Sequence, residues 1–169
     1  MRPVGMTRRL VLGGGLAAVA LGVAGCTSSG FPADPDGTLD RVRGGTLRAG
    51  AVHHPPYVDV STGSAEPTGT EADLVRRFAQ ELDARVAWTA ASEEALVTAL
   101  EKGDLDLMVG GLTTKSAWSK KVALTRGYAE DLGPDGEPVK LAMAVALGEN
   151  QMLGRLEEFL DWHGEEVLA

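Results

Sequence analysis

From residue 44 onward, apolar positions alternate between short extended runs and helical stretches. Residues 46–52 (TLRAGAV) follow the period of two expected of a strand, and Gly44-Gly45 punctuates their start. The clearest helix spans residues 71–84 (EADLVRRFAQELDA). Leu74, Val75, Phe78 and Leu82 share one face, and Arg76, Arg77, Gln80 and Glu81 turn away. Thr70, with Asp73 three residues on, reads as a helix cap, so Glu71 and Asp73 read as helix-start residues. Residues 85–89 (RVAWT) predict a strand. Residues 93–102 predict a helix capped by Ser92 and ended by Gly103.

Residues 105–109 (LDLMV) read as a buried strand, Gly110-Gly111 as the opening of a loop, and residues 122–125 as a short strand. Residues 131–138 (DLGPDGEP) are turn-rich. Residues 141–147 (LAMAVAL) are apolar on both faces, as in a central strand. Asn150 is placed to cap a last helix, 151–162, burying Leu153, Leu156, Phe159 and Leu160. Met143, Met152, Trp88 and Trp162 are read as core. Together these elements predict an α/β fold: a mainly parallel sheet with helices on both faces. Ligands of such sheets bind at the carboxyl ends of the strands, here residues 53–57, 110–114 and 148–150.

The first 25 residues read differently. Arg2, Arg8 and Arg9 precede an apolar run, 10–25, that falls short of the roughly 20 residues a membrane-spanning helix takes. This is the pattern of a secretory signal peptide. Val23-Ala24-Gly25-Cys26 resembles the lipobox of bacterial lipoproteins, which implies lipidation at Cys26 and a chain anchored on the extracytoplasmic face of the cell membrane. Arg8-Arg9 also resembles a twin-arginine export signal, so the export route stays open. Residues 26–43, with their Ser, Gly, Pro and Asp, read as a flexible tether. The folded lobe is expected over 44–163, with a tail at 164–169.

Charge and residue counts remove several functions. A net charge of -8 argues against nucleic acid as a partner. One cysteine and three histidines, two of them adjacent, give no disulfide framework and no metal site. No nucleophile with a base, no phosphate loop and no cofactor motif appears. The reading is therefore of a non-enzyme without catalytic residues or cofactor.

Several short stretches, in a shared order, carry a resemblance. They are Gly45-Thr46-Leu47-Arg48-Ala49-Gly50, Pro55-Pro56-Tyr57-Val58, and Gly69-Thr70-Glu71-Ala72-Asp73-Leu74. Then come Gly103-Asp104-Leu105-Asp106-Leu107, Gly110-Gly111-Leu112-Thr113 and Val122-Ala123-Leu124-Thr125-Arg126-Gly127-Tyr128. Across residues 44–128 the chain resembles the bacterial extracellular solute-binding proteins of family 3, the polar-amino-acid type. The resemblance implies one lobe of a periplasmic-binding-protein fold. Family members cross to a second lobe near a segment like Leu124 to Tyr128 and return through one like residues 142–150. Here only ten residues separate Tyr128 from Val139, so the second lobe is expected to be missing. The implied partners are a small-molecule solute and an ABC permease, with a second copy able to supply the missing wall. The implied ligand-binding residues are Tyr57, Gly111, Thr113 and Trp118. Trp118 falls where amino-acid binders of the family place a carboxylate-clamping arginine. That substitution points toward a small polar or cationic solute, because an aromatic face attracts cations.

Overall fold

The computed structural model describes residues 32–61 and 66–165. Cys26, the signal segment and residues 166–169 of the tail lie outside the described residues. Helices and strands follow one another as α1 (Thr38–Val42), β1 (Thr46–Ala51), α2 (Thr70–Glu81), β2 (Arg85–Ala90), α3 (Glu93–Glu101), β3 (Leu107–Val109) and β4 (Val122–Leu124). A hairpin of β5 (Ala129–Leu132) and β6 (Pro138–Leu141) comes next, then β7 (Ala144–Ala146) and α4 (Asn150–His163).

The sheet runs β2-β1-β3-β7-β4. β1 is parallel to β2 and β3, and β7 is antiparallel to both its neighbours. Alternation along the strands sorts the side chains to two faces. Leu47, Ala49, Leu107, Val109 and Val145 meet Phe78, Leu156 and Phe159 in one core, under α1, α2 and α4. Met108, Val122 and Ala144 meet Leu96, Val97 and Leu100 of α3 on the other. On that second face α3 sits close to β1. A Cβ on Gly50 would stand 3.0 Å from Leu96 Cδ2 of α3 and 2.9 Å from Leu105 Cδ1, so those side chains would have to shift to admit one.

The α/β class and the helices on both faces are as the sequence predicts. Ser92 accepts the Ala95 N–H at 3.4 Å, and Gly103 closes α3 at φ 72°. Other details differ. α1 lies inside the stretch read as tether, and it buries Leu39 and Val42, so the packed lobe begins before residue 44. Five residues are too few for a visible helical period. The cap of α2 is Gly69, and Thr70 and Asn150 are the first helical residues of their helices without capping bonds. Trp162 is 81% exposed. At about 100° per residue it lies roughly 100° off the stripe of Met152, Leu156, Phe159 and Leu160 that α4 buries.

The apolar run 141–147 splits. Leu141 ends the hairpin, the Ala142 N–H donates to the Leu112 carbonyl, and only Ala144–Ala146 enters the sheet. The stretch read as plain turn is the tip of the β5–β6 hairpin, paired from Ala129↔Leu141 to Leu132↔Pro138. This hairpin fills the ten-residue gap at which the second lobe was expected to be missing.

Candidate functional site

At the carboxyl ends of β1 and β3 the chain turns sharply. Gly110 and Gly111 adopt φ 140° and 67°, conformations that suit glycine. A Cβ on Gly111 would also lie 2.7 Å from the His54 ring. What fixes this turn is Glu71, whose side chain is fully buried. Its Oε2 accepts the Gly110 N–H at 2.8 Å and the Gly111 N–H at 3.0 Å. Its Oε1 accepts from the Tyr128 hydroxyl. Its own backbone N–H donates to the Tyr57 carbonyl at 3.0 Å. One residue therefore ties the start of α2 to the loop after β1, the turn after β3 and the approach to the hairpin.

Burial raises the Glu71 pKa, against the lowering effect of the Tyr128, Gly111 and Gly110 donors. Burial, and then the Glu71 charge, raise the Tyr128 phenol well above its ordinary value and keep it a donor. The pattern reading treated Glu71 as a helix-start residue. The signal that reveals it is positional: 71, 74, 75 and 78 share one helical face, so a carboxylate stands in line with Leu74, Val75 and Phe78.

Of the four residues the sequence singles out, Tyr57 and Gly111 come together through Glu71 and His54. Tyr57 is only 5% exposed, its ring 5.6 Å from the His54 ring, and His53 and His54 are the exposed rings of this loop. The Gly111 amide is held by Glu71. Thr113, half-buried, pairs with Leu141 at the base of the hairpin, and its hydroxyl accepts the Lys115 N–H at 3.3 Å. Trp118 belongs to the core on the α3 side of the sheet, whereas Tyr57 belongs to the core on the other side. It sits in a 3-10 turn, Ala117–Lys120, and packs over the α3-side core, with Lys121 Nζ 5.7 Å from its ring centroid. The strand-end stretch 148–150 lies at the opposite end of the strands, because β7 runs antiparallel. Thr125, Leu141 and Met143 stand at the strand ends in its place.

Of two hollows, one flanks these loops and the other is remote from them. One of about 440 Å³ lies beside the hairpin base, lined by Tyr128, Glu130, Lys140 and Glu165 among others. The second, about 290 Å³, is at the opposite edge, beside Arg41, Arg48 and Asp106. Neither is lined by Tyr57, Gly111, Thr113 or Trp118. Asp106 is buried and accepts from Arg41 Nη2 and Arg48 Nη2, both at 2.6 Å. Burial opposes its ionisation, yet the two arginines hold its pKa below the usual value.

The sheet order, the two helical layers and the glycine turns at the strand ends define a single lobe of the periplasmic-binding-protein class. Comparison with known proteins narrows this. Residues 47–136, more than half of the chain, match the family described as "Bacterial extracellular solute-binding proteins, family 3", and the chain belongs to that family. The arginine-bound form of domain 1 from TmArgBP superposes with a TM-score of 0.61 at 22% identity, over 72% of this chain and 95% of that one. An ancestral cationic amino acid solute binding protein, AncCDT-1, gives 0.65 at 15% identity, over 75% and 93%. An arginine-specific periplasmic binding protein of Salmonella typhimurium gives 0.60 at 13% identity, over 70% and 92%. In sequence, the membrane-bound lytic murein transglycosylase F of Vibrio cholerae is 30% identical over 100 residues. Those cover 58% of this chain but only 18% of the length of that protein.

Proposed function

We propose that this chain is a membrane-tethered, extracytoplasmic solute-binding component of an ABC importer, anchored through Cys26, that takes a small polar or cationic solute. The membership of family 3 carries this reading. The absent clamp arginine supports the choice of solute, since Trp118 occupies its place. That domain 1 of TmArgBP has an arginine-bound form supports binding by one lobe alone. A second copy of the chain facing the strand ends would bury more of the ligand than one lobe can. A thermal-shift screen of the purified chain against amino acids, polyamines and quaternary amines tests the binding role. A ligand at a hundred times its Kd stabilises by about 2.7 kcal/mol. A specific rise in Tm with one solute class is expected, and a flat response across the panel counts against the role. Cys26→Ser is expected to release the chain from the membrane fraction, and retention at high salt would defeat the anchor.

A second reading has an observation of its own. The Gly111 amide and the Trp118 ring already have partners within the chain, Glu71 and Lys121. A lobe so satisfied suits a non-transport interaction or sensor module, or a relic of a two-lobed binding protein. Under that reading no solute raises Tm.

A further inference from the structure

At the edge of the sheet remote from the strand-end loops, the segment before α1 is fastened to the start of α4 by two carboxyl groups. Glu149 is buried and accepts the Asp36 N–H at 3.1 Å and the Thr38 N–H at 3.2 Å. Asp34 Oδ2 accepts the Leu39 N–H at 3.2 Å. The Ala33 carbonyl accepts from the Asn150 N–H at 2.8 Å and from the Gln151 N–H at 3.3 Å. Both carboxyls thus close on the same short stretch, residues 36–39, near enough for each to shift the other's ionisation. Asp34 Oδ1 is buried with no donor directed at it. Two carboxylates cannot bond to one another without a proton between them, and Oδ1 is where that proton fits.

We propose that Asp34 and Glu149 form a proton-shared latch that holds residues 33–39 against α4 in acidic surroundings and loosens as the pH rises toward neutrality. The inference rests on this geometry and does not depend on what solute the lobe binds. The charges around the pair fit the assignment. Arg41 of α1 is the cation that faces both acids, and it is committed to Asp106, which it shares with Arg48 of β1. Asp36 lies on the same segment and adds negative charge. Burial, and then the Glu149 contact, push Asp34 up to about 6. Burial opposes ionisation of Glu149, but the donors from Asp34, Thr38 and Asp36 outweigh it and hold Glu149 below its usual value. The proton therefore resides on Asp34.

The sign follows from the raised group. The folded chain keeps a proton on Asp34 between the ordinary 3.8 and about 6, where an unfolded chain loses it. The contribution of Asp34 is thus complete near pH 4, weakens through that window and is lost above about 6, whereas that of Glu149, whose pKa is lowered, is lost only as the pH falls further. A shift of two units would change the latch equilibrium by about a hundredfold. Asp34 is partly open to solvent, so screening leaves roughly tenfold.

Two measurements on the full chain test this. Carboxyl-carbon NMR of Asp34 is expected to titrate near 6, and a midpoint near 4 overturns the latch. Amide hydrogen exchange at Thr38 and Leu39 follows the segment itself, after correction for the intrinsic pH dependence of exchange. In the unmodified chain, protection is expected to fall roughly tenfold between pH 4 and pH 7.5. In Asp34→Asn, whose amide can donate to Glu149 at any pH, protection is expected to stay constant over that range. The same pH dependence in both chains would overturn the proposal.

Discussion

Replacing Glu71 by Ala is expected to cost about 3–5 kcal/mol of unfolding free energy, measured by urea denaturation. The change removes the acceptor of two backbone N–H groups and one phenol. Each buried polar group left without a partner costs about 1–3 kcal/mol. Gly110 is buried and Tyr128 nearly so, and water replaces the lost acceptor only at the more open Gly111. Glu71→Gln keeps a carbonyl for the two glycine amides and turns its NH₂ toward the Tyr128 oxygen, which can accept. It is expected to cost under about 2 kcal/mol. The order Ala worse than Gln is the signature of the network, and a loss below about 1 kcal/mol in the Ala variant would show that the three donors are satisfied elsewhere.

The larger effect is expected from deleting residues 139–169, which should yield an insoluble product. β7 lies between β3 and β4, so its loss opens the edges of both neighbours. Met143, Val145, Met152, Leu156, Phe159 and Leu160 leave with it, all buried. At about 1.5–3 kcal/mol for each buried side chain their loss matches or exceeds the entire net stability of an ordinary domain, about 5–15 kcal/mol. A soluble truncation that unfolds cooperatively would show that the first 138 residues form a domain alone.

These two changes also mark what the sequence shows and what it hides. The layered α/β plan was legible because each long element has a strong period. Leu74, Val75 and Phe78 repeat at helical spacing, and β1 alternates from Thr46 to Ala49. The direction of β7 was not legible, because an apolar run carries no arrow. Residues 148–150 were therefore placed at the wrong end of the strands. The hairpin was hidden because AEDL and PVKL carry charges and a proline and are largely solvent-facing, which weakens any pattern. Glu71 was hidden for a different reason. A carboxylate in the first turn of a helix is common on electrostatic grounds alone. Only its alignment with the buried stripe separates it from Asp73, which is exposed and pairs with Arg76 at 2.8 Å. The partners of Gly111 and Trp118, Glu71 and Lys121, come from tertiary folding in one case and from a local 3-10 turn in the other. Neither has a motif.

Calorimetric titration of the full chain with arginine, a polyamine, a quaternary amine and a panel of neutral α-amino acids, repeated on Trp118→Ala, tests the binding account most directly. An aromatic face contributes about 0.5–2 kcal/mol to a bound cation, roughly 2- to 30-fold in affinity. Saturable heat with a cationic solute, preferred over neutral α-amino acids and weakened to that extent in Trp118→Ala, is the expected result. No heat with any of the solutes, or micromolar binding of a standard neutral amino acid untouched by Trp118→Ala, would contradict it.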